Sequence, residues 1–477
     1  MYRRADKTRT SPLQDLDPWF VVGVVLPALA VLLSRLPVND LAYLLRAGDF
    51  TLNTGHVLRT DLFTFTMNGQ PWTDQQWGAA SILAALFRLG GWRGLVVLRA
   101  CLTSFAIAFT YRRTFRMNGD PLVSGCLSIG AFLVAITLPG TFSLRPQLLA
   151  VPLFAGSVSL IGNRETHPAG LAWLLPIGVV WANIHGSFVL LPLLLSIAFV
   201  DDVVSRRSTW RWTGCLVVVT ILTPLVSPWG SGAYSYLWTI ATSSIVRDVI
   251  DEWKPLASQF PAWVLFLGFN VTVLVAARHR SRPLSVEEVM TLVIFTALPI
   301  WSGRNLVWWV LAVPPVGGAL LASWHPGERP AGRVDIILCL TLGAVLLLSI
   351  GRVLTTRPPE SLLSEAPSGI TAALRGAAHP GVRVFDGRWG SWFEFATPSL
   401  PMFVDSRAEL FPDAVWHDYF QISEAQAGWQ SVLDDWKIDI VVAAEDHDAA
   451  LIDALEHENG WKLVYRDVDG AVFTRVP

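Results

Sequence analysis

Apolar runs separated by short polar breaks fill most of the chain, and their length is that of membrane helices. A bilayer crossing needs about 20 mostly apolar residues. Runs of that order fall at 18–36, 92–111, 121–140, 146–162, 168–184, 186–203, 212–228, 261–278, 286–303, 305–324 and 333–353. One further stretch, 73–90, is ambiguous: it contains Asp74, Gln75, Gln76 and Arg88, and it meets the next run across Gly90-Gly91. Beyond 353 the pattern changes. Residues 354–380 are rich in Pro, Ser, Gly and Ala and read as a linker with a short helix. Short strand-like runs follow at 382–385, 401–405, 439–444, 462–466 and 471–476, with helical stretches at 392–396, 415–436 and 448–457 between them. Strands alternating with helices predict a small α/β domain over 381–477.

The basic residues choose between topologies. Cytoplasmic loops of membrane proteins are enriched in Lys and Arg. If 73–90 does not cross, Arg112, Arg113 and Arg116 fall on the same side as Arg164, as Arg206, Arg207 and Arg211, as Arg278, Arg280 and Arg282, and as Arg329 and Arg333. The basic N-terminus, 1–17, with Arg3, Arg4, Lys7 and Arg9, agrees with that side. If 73–90 crosses, every later basic loop moves outside. The sequence therefore predicts an α-helical polytopic membrane protein of about eleven spans over 18–353. The N-terminus is cytoplasmic, 73–90 is a re-entrant or interfacial helix, and the C-terminal α/β domain is extracytoplasmic. No small-residue cleavage site follows the first run, which reads as an uncleaved span.

Composition agrees. Hydrophobic residues make up 52% of the 477 and charged residues only 16%, against about 25% charged in soluble proteins. Of the 22 Trp, many stand at ends of apolar runs (Trp19, Trp72, Trp92, Trp229, Trp253, Trp301, Trp324), the position of interfacial anchors. The net charge of -2 averages two unlike regions, and nothing in its distribution points to nucleic acid. The four cysteines, Cys101, Cys126, Cys215 and Cys339, lie in apolar runs and read as small buried hydrophobes, with no disulfide or metal-ligand spacing. The basic loops are too short for a cytoplasmic catalytic domain, and no phosphate-cradling Gly-rich loop is present.

Two outside loops, about 37–91 and 228–260, are long enough to be functional. The first opens with Asn39-Asp40, continues through a helix-like stretch with Arg46 and Asp49, and then carries Asp61 and Asp74. A carboxylate at the membrane surface beside arginines and aromatic rings suits a reaction on a lipid-linked substrate, because it accepts a proton from an attacking hydroxyl. The alternative role for Asp40 is to cap the following helix. Arg145, with Gln147 beside it, and Arg304 stand at outside ends of runs, where a guanidinium grips a lipid phosphate or simply snorkels. His185 lies in a tight outside turn and serves either substrate or a helix–helix contact. Glu252, in Asp251-Glu252-Trp253-Lys254, lines a groove or belongs to a solvated loop. Asp40, Asp61 and Glu252 offer oxygen ligands for a divalent cation. In the C-terminal domain, Asp386 and Asp405 fall at strand ends where ligands sit in such sheets, with Arg407 two residues on. The competing role is that Asp405 and Arg407 cap and pair at a turn.

The segments NDLAYLLRAGDFTLNTGHVLRTDLFTFTMNGQPWTDQQW, SLRPQLLAVPLFA, WANIHGSFVL, DEWKPL, SGRNLVWWVLAVPP and FVDSRAELF, spread over nearly the whole chain, resemble a group of bacterial membrane proteins of the C-type glycosyltransferase superfamily. That superfamily includes protein O-mannosyltransferases and aminoarabinose transferases. The resemblance implies transfer of a sugar from a polyprenyl-phosphate donor to an acceptor at the outer face of a bacterial cell membrane. It places Asp40 at the position of the superfamily's acid after the first span, the general base, with Asp61 a second acid in the same loop. Substrate contacts are then expected from Arg46, Asp74, Arg145, Gln147, His185, Glu252 and Arg304. The chain departs from the pattern at Leu44 and Leu45, where relatives carry a His, and at Gln76-Trp77, where they carry Glu-Trp; Asp74 stands near enough to replace that carboxylate. The competing function is a non-catalytic scaffold or transporter for envelope lipids or polysaccharide. The clustering of charge at the outer face, without internal repeats, favours surface chemistry.

Overall fold

The computed structural model describes residues 17–279, 283–322 and 332–476. The N-terminal arginines and lysine, Arg280, Arg282, Trp324 and Arg329 lie outside these.

Each of the eleven apolar runs holds an α-helix. Among the described residues three helices, Trp77–Asn118, Gly186–Val204 and Arg333–Thr355, are long and apolar enough to cross a membrane by length and composition, and there are shorter apolar helices besides. Local chemistry sets several boundaries. Asp17 and Asp120 stand before Pro18 and Pro121 and accept backbone N–H bonds from the first turns, and Ser285 with Glu288 closes a capping box. The Leu306–Leu320 helix is buried along its whole length and forms the centre of the bundle. The Arg333–Thr355 helix is the opposite case. Leu347 is 71% exposed and Leu348 74%, an outward apolar face suited to lipid. The same reasoning corrects the expectation for the cysteines. Only Cys339 is buried, while Cys101, Cys126 and Cys215 are exposed, because an apolar run in a membrane fold can face lipid as well as protein.

The ambiguous stretch ends at a break at Gly91, whose φ of 56° separates two helical segments. The segment before it packs on the Asn39–Thr54 helix, where a Cβ on Gly48 would meet the Ala80 carbonyl at 2.0 Å. Its start is tied to the last turn of the Leu174–Ile184 helix, through Trp77 Nε1 donating to Asn183 Oδ1 at 2.8 Å. Its end is tied to the C-terminal domain through Phe87 against Phe395 and Trp92 against Trp392.

The C-terminal domain contains a four-stranded sheet. Strand β1 (Leu36–Pro37) pairs in parallel with β2 (Leu363–Ser364) outside that sheet. The sheet itself has the order β3 (Val384–Phe385), β4 (Ile440–Ala444), β6 (Gly470–Arg475), β5 (Trp461–Arg466); β3 and β4 are parallel, the other pairs antiparallel. All five residues of β4 are buried, as its apolar run predicts. The helix Ser368–Ala377 packs on β5 and β6. Two expectations change. The stretch 415–436 is two helices, Asp413–Ser423 and Trp429–Asp435, separated by Gly428 in the left-handed region. The segment 401–405 is not a regular strand, since Met402 makes only isolated bridges, to Thr64 and Val384. The buried Asp386 carboxylate takes the N–H groups of Phe403 (2.6 Å) and Val404 (3.1 Å), which diverts them from a ladder.

Candidate active site

The Asn39–Thr54 helix starts immediately after β1, and Asp40 lies in its first turn. The residue at the N-cap is Val38, with no side-chain cap. Asp40 is therefore inside the helix, and its carboxylate is spent on Arg145, whose Nε stands 2.8 Å from Oδ2. Arg145 owes its position to Pro146. A residue before proline is pushed into extended backbone, here φ −127° and ψ 166°, so Arg145 leaves the Pro146–Gly162 helix at its mouth. Its Nη1 meets Glu252 Oε1 at 2.5 Å, and Arg304 Nη1 approaches the same oxygen at 3.6 Å. The Glu252 carboxylate packs onto Gly140, where a Cβ would lie 2.6 Å from Oε2 and where φ is 94°. A side chain at 140 would displace the carboxylate. The Arg304 guanidinium also lies 5.0 Å over the Trp253 ring.

This network opens into a cavity of about 450 Å³, walled by the first loop, the bundle, the second loop and the C-terminal domain. Asp40, Arg145, Gln147, His185, Glu252 and Arg304 all line it. Gln147 is fixed by donating to the Arg304 carbonyl at 2.8 Å. His185 sits in extended backbone between two helices, and its Nδ1 accepts the Ser187 N–H at 3.1 Å. The neutral ring thus carries its proton on Nε2. Burial, with the Arg304 charge behind it, holds the imidazole well below the ordinary histidine range, so it stays neutral. Burial opposes the Arg145 charge, but Asp40 and Glu252 more than offset it and raise its pKa. Burial likewise pushes Glu252 up, and Arg145 and Arg304 bring it net below the ordinary carboxylate range. The Arg145–Glu252 pair is therefore charged at neutral pH.

The structure separates three other expected residues from this cavity. Asp61 is fully buried and outside the lining. It accepts from the Thr64 N–H (3.0 Å) and hydroxyl (2.6 Å), and its Oδ1 lies 2.6 Å from Arg407 Nη2. Asp74 is also buried outside the lining, and burial pushes its carboxyl up to about 7 against the pull of Arg407. Arg46 reaches the carbonyls of Glu394 and of Pro398 (2.9 Å), docking the C-terminal domain. Asp61 is thus a brace between the first loop and that domain, a role sequence alone could not separate from catalysis. The cation set Asp40, Asp61 and Glu252 does not fit the geometry. The first and last share Arg145, Asp61 belongs to Arg407, and among the described residues no group of three His, Cys, Asp or Glu gathers to hold a metal.

Arg407 joins the two halves. It is 1% exposed, pairs through Nε with Asp405 (3.0 and 2.9 Å), reaches Asp61, and lies 4.5 Å over the Trp72 ring. Asp405 and Arg407 do pair at a turn, and Asp386 is a backbone acceptor. Yet Arg407, with Ser406 and Glu409, also lines the cavity. Tyr43 and Tyr236 line it too. Sequence reasoning passed over Glu409 and both tyrosines, although Glu409 lies within the FVDSRAELF segment.

Neither a protein-family model nor a curated protein sequence matches the chain. Solved structures do. The chain is similar to an archaeal oligosaccharyltransferase, AglB from Archaeoglobus fulgidus, solved in complex with an inhibitory peptide and a dolichol-phosphate. The TM-score is 0.57 at 11% identity, over 96% of this chain and 74% of that one. The apo form of the Archaeoglobus fulgidus oligosaccharyltransferase gives 0.54 at 12% identity, over 97% and 74%. ArnT from Cupriavidus metallidurans, solved bound to undecaprenyl phosphate, gives 0.51 at 12% identity, over 96% and 97%. The chain thus shares its fold with these oligosaccharyltransferase and ArnT structures, in line with the fold expected from the sequence.

Proposed function

We propose that the chain is a membrane glycosyltransferase that moves a sugar from a polyprenyl-phosphate donor to an acceptor on the extracytoplasmic side of a bacterial cell membrane. The observation that carries this reading is the Asp40–Arg145–Glu252–Arg304 network at the mouth of one cavity, in a fold shared with two proteins solved with polyprenyl phosphates. The topology that goes with it has eleven spans, a cytoplasmic N-terminus and an outer C-terminal domain.

Arg145 and Arg304 supply planar donors for the donor's phosphate, with the Nε2 proton of His185 nearby. Asp40 takes the proton from the acceptor hydroxyl. The acceptor oxygen bonds to the anomeric carbon as the bond from that carbon to the phosphate oxygen breaks. The electron pair leaves on the phosphate, whose charge the two arginines offset. Single displacement of this kind inverts the anomeric centre. Loading Arg145 with phosphate draws it from Asp40 and frees that carboxylate to act as the base.

Binding tests the donor half of the proposal directly. The purified full-length protein in lipid nanodiscs should bind undecaprenyl phosphate, and Arg145→Lys should weaken binding, because a point charge cannot reproduce a forked contact. Wild-type protein that does not retain undecaprenyl phosphate would remove the donor reading.

A further inference from the structure

The phosphate grip and the Asp40 carboxylate account for only part of the cavity wall. A second cluster, drawn from three segments far apart in sequence, lines the rest. Tyr236, on the Gly232–Thr242 helix, donates its hydroxyl to Glu409 Oε1 at 2.6 Å. Glu409 comes from the C-terminal domain. Tyr43 lies near the carboxylates of both Asp40 and Glu409 and so joins the two clusters. Arg407 adds a donor: its Nη1 is buried without a hydrogen-bond partner, and Arg407 is among the residues that line the cavity.

Charge balance distinguishes Glu409 from the other lining carboxylates. Asp40 has Arg145, and Glu252 has both Arg145 and Arg304. Among the described residues no cation stands within ion-pairing distance of Glu409. The Glu409 carboxylate accepts from Tyr236 and keeps further acceptor capacity, and Arg407 Nη1 has no partner, so a ligand that hydrogen-bonds to both gains from the match. Glu409 accepts, Arg407 Nη1 donates, and the two tyrosine hydroxyls do both. That mixture, beside aromatic rings, suits adjacent hydroxyl groups on a ring. It does not suit a second anion, which would lie against Glu409.

The geometry points to a subsite for the transferred sugar, in which Glu409 and Tyr236 bind hydroxyl groups of a neutral hexose ring and sugars carrying a negative charge are excluded. This rests on the lipid-linked donor reading and gives the donor a direction: phosphate toward Arg145 and Arg304, sugar toward the C-terminal domain. Burial raises the Glu409 carboxyl above the ordinary glutamate value, against the pull of the Tyr236 hydrogen bond and of the Arg407 charge.

The test uses full-length protein in nanodiscs and competition binding with undecaprenyl phosphate alone, with its glucosyl, galactosyl and mannosyl derivatives, and with its glucuronosyl derivative. Wild type should bind at least one neutral derivative roughly tenfold or more tighter than the bare lipid phosphate, the scale of one or two good hydrogen bonds. It should bind the glucuronosyl lipid no tighter than the bare one. Glu409→Gln and Tyr236→Phe should each lose most of the neutral-sugar gain and leave the affinity for bare lipid phosphate unchanged. Wild type that binds bare lipid but gains nothing from any neutral sugar, or variants that keep the gain, or a glucuronosyl lipid bound as tightly as the best neutral one, would each overturn the subsite while leaving the donor reading intact. Failure of wild type to bind the bare lipid overturns both.

Discussion

Replacing Asp61 by Asn separates a structural brace from a catalytic acid. The side chain is fully buried, and Asn keeps its size and an oxygen for the Thr64 N–H. What Asn removes is the charge facing Arg407 Nη2 at 2.6 Å. Asp405 remains on Arg407 through two contacts, so the guanidinium is not stranded. The expected loss is that of one charge-assisted hydrogen bond, about 1.5–3 kcal/mol. This corresponds to roughly a 10–150-fold shift in the equilibrium by which the C-terminal domain separates from the first loop. Asp61→Ala also strands the N–H groups of Phe63 and Thr64 and the Thr64 hydroxyl, and belongs with broken buried pairs at about 3–5 kcal/mol. The assay is pulse proteolysis of the full-length protein in graded urea, following release of the C-terminal domain. Release should occur at lower urea in the order wild type, Asn, Ala. Asn protein that resists protease like wild type while losing sugar transfer would refute the brace and return Asp61 to the chemistry.

Asp40→Asn should lower transfer by about 10²–10⁴-fold, the range of a lost general base, in protein whose protease resistance is unchanged; equal turnover removes Asp40 from the proposed mechanism. Arg304→Lys should weaken undecaprenyl phosphate binding less than Arg145→Lys, because Arg304 stands 3.6 Å from Glu252 where Arg145 makes the close contacts. Asp74 is a carboxyl whose folded pKa, about 7, lies above its ordinary 3.8, so between those values the folded state holds a proton that the unfolded chain has lost. Its contribution to stability therefore falls as pH rises from about 4 to 7, and Asp74→Asn should flatten the fall of Tm over that window; an unchanged slope would assign the pH dependence to other groups. Single cysteines at Arg116 and Val468, both exposed, in a background without the four native cysteines should label from opposite sides of the membrane; labelling from the same side would refute the proposed eleven-span topology.

Elements whose chemistry is local were readable in the sequence. The apolar runs, the Gly90-Gly91 break, the β4 run and the Asp469-Gly470 turn each carry their signal within a few residues, and each appears in the structure. Part of the site was readable for the same reason, since Asp40, Arg145, His185 and Arg304 stand at or just beyond ends of apolar runs and Glu252 lies in a long loop between two of them. Asp61, Arg46 and Asp74 resemble them in composition and setting. Only the position of the C-terminal domain shows that Asp61 and Arg46 face it and that Asp74 is closed off from the cavity. The strand expected at 401–405 failed because its N–H groups go to a carboxylate 17 and 18 residues away, a competition that alternation of residue types does not record. Glu409 carries no local signal. Its partner, Tyr236, is 173 positions back.

The ion pair between Asp61 and Arg407 spans 346 positions, and β1 pairs with β2 across a comparable distance. Ribosomes deliver the chain from its N-terminus, and domains fold in the order they emerge. The loop that carries Asp40 and Asp61 is therefore made early, and Asp61 waits for its Arg407 partner until the helices between them have been made. Ser406, Arg407 and Glu409 then close the cavity, long after Asp40 and Arg145 have been made. A chain truncated before them carries Asp40, Arg145 and Glu252 but no closed pocket in which to use them. Closure of the cavity thus depends on residues far along the chain, and no N-terminal fragment that stops short of Ser406 can form it.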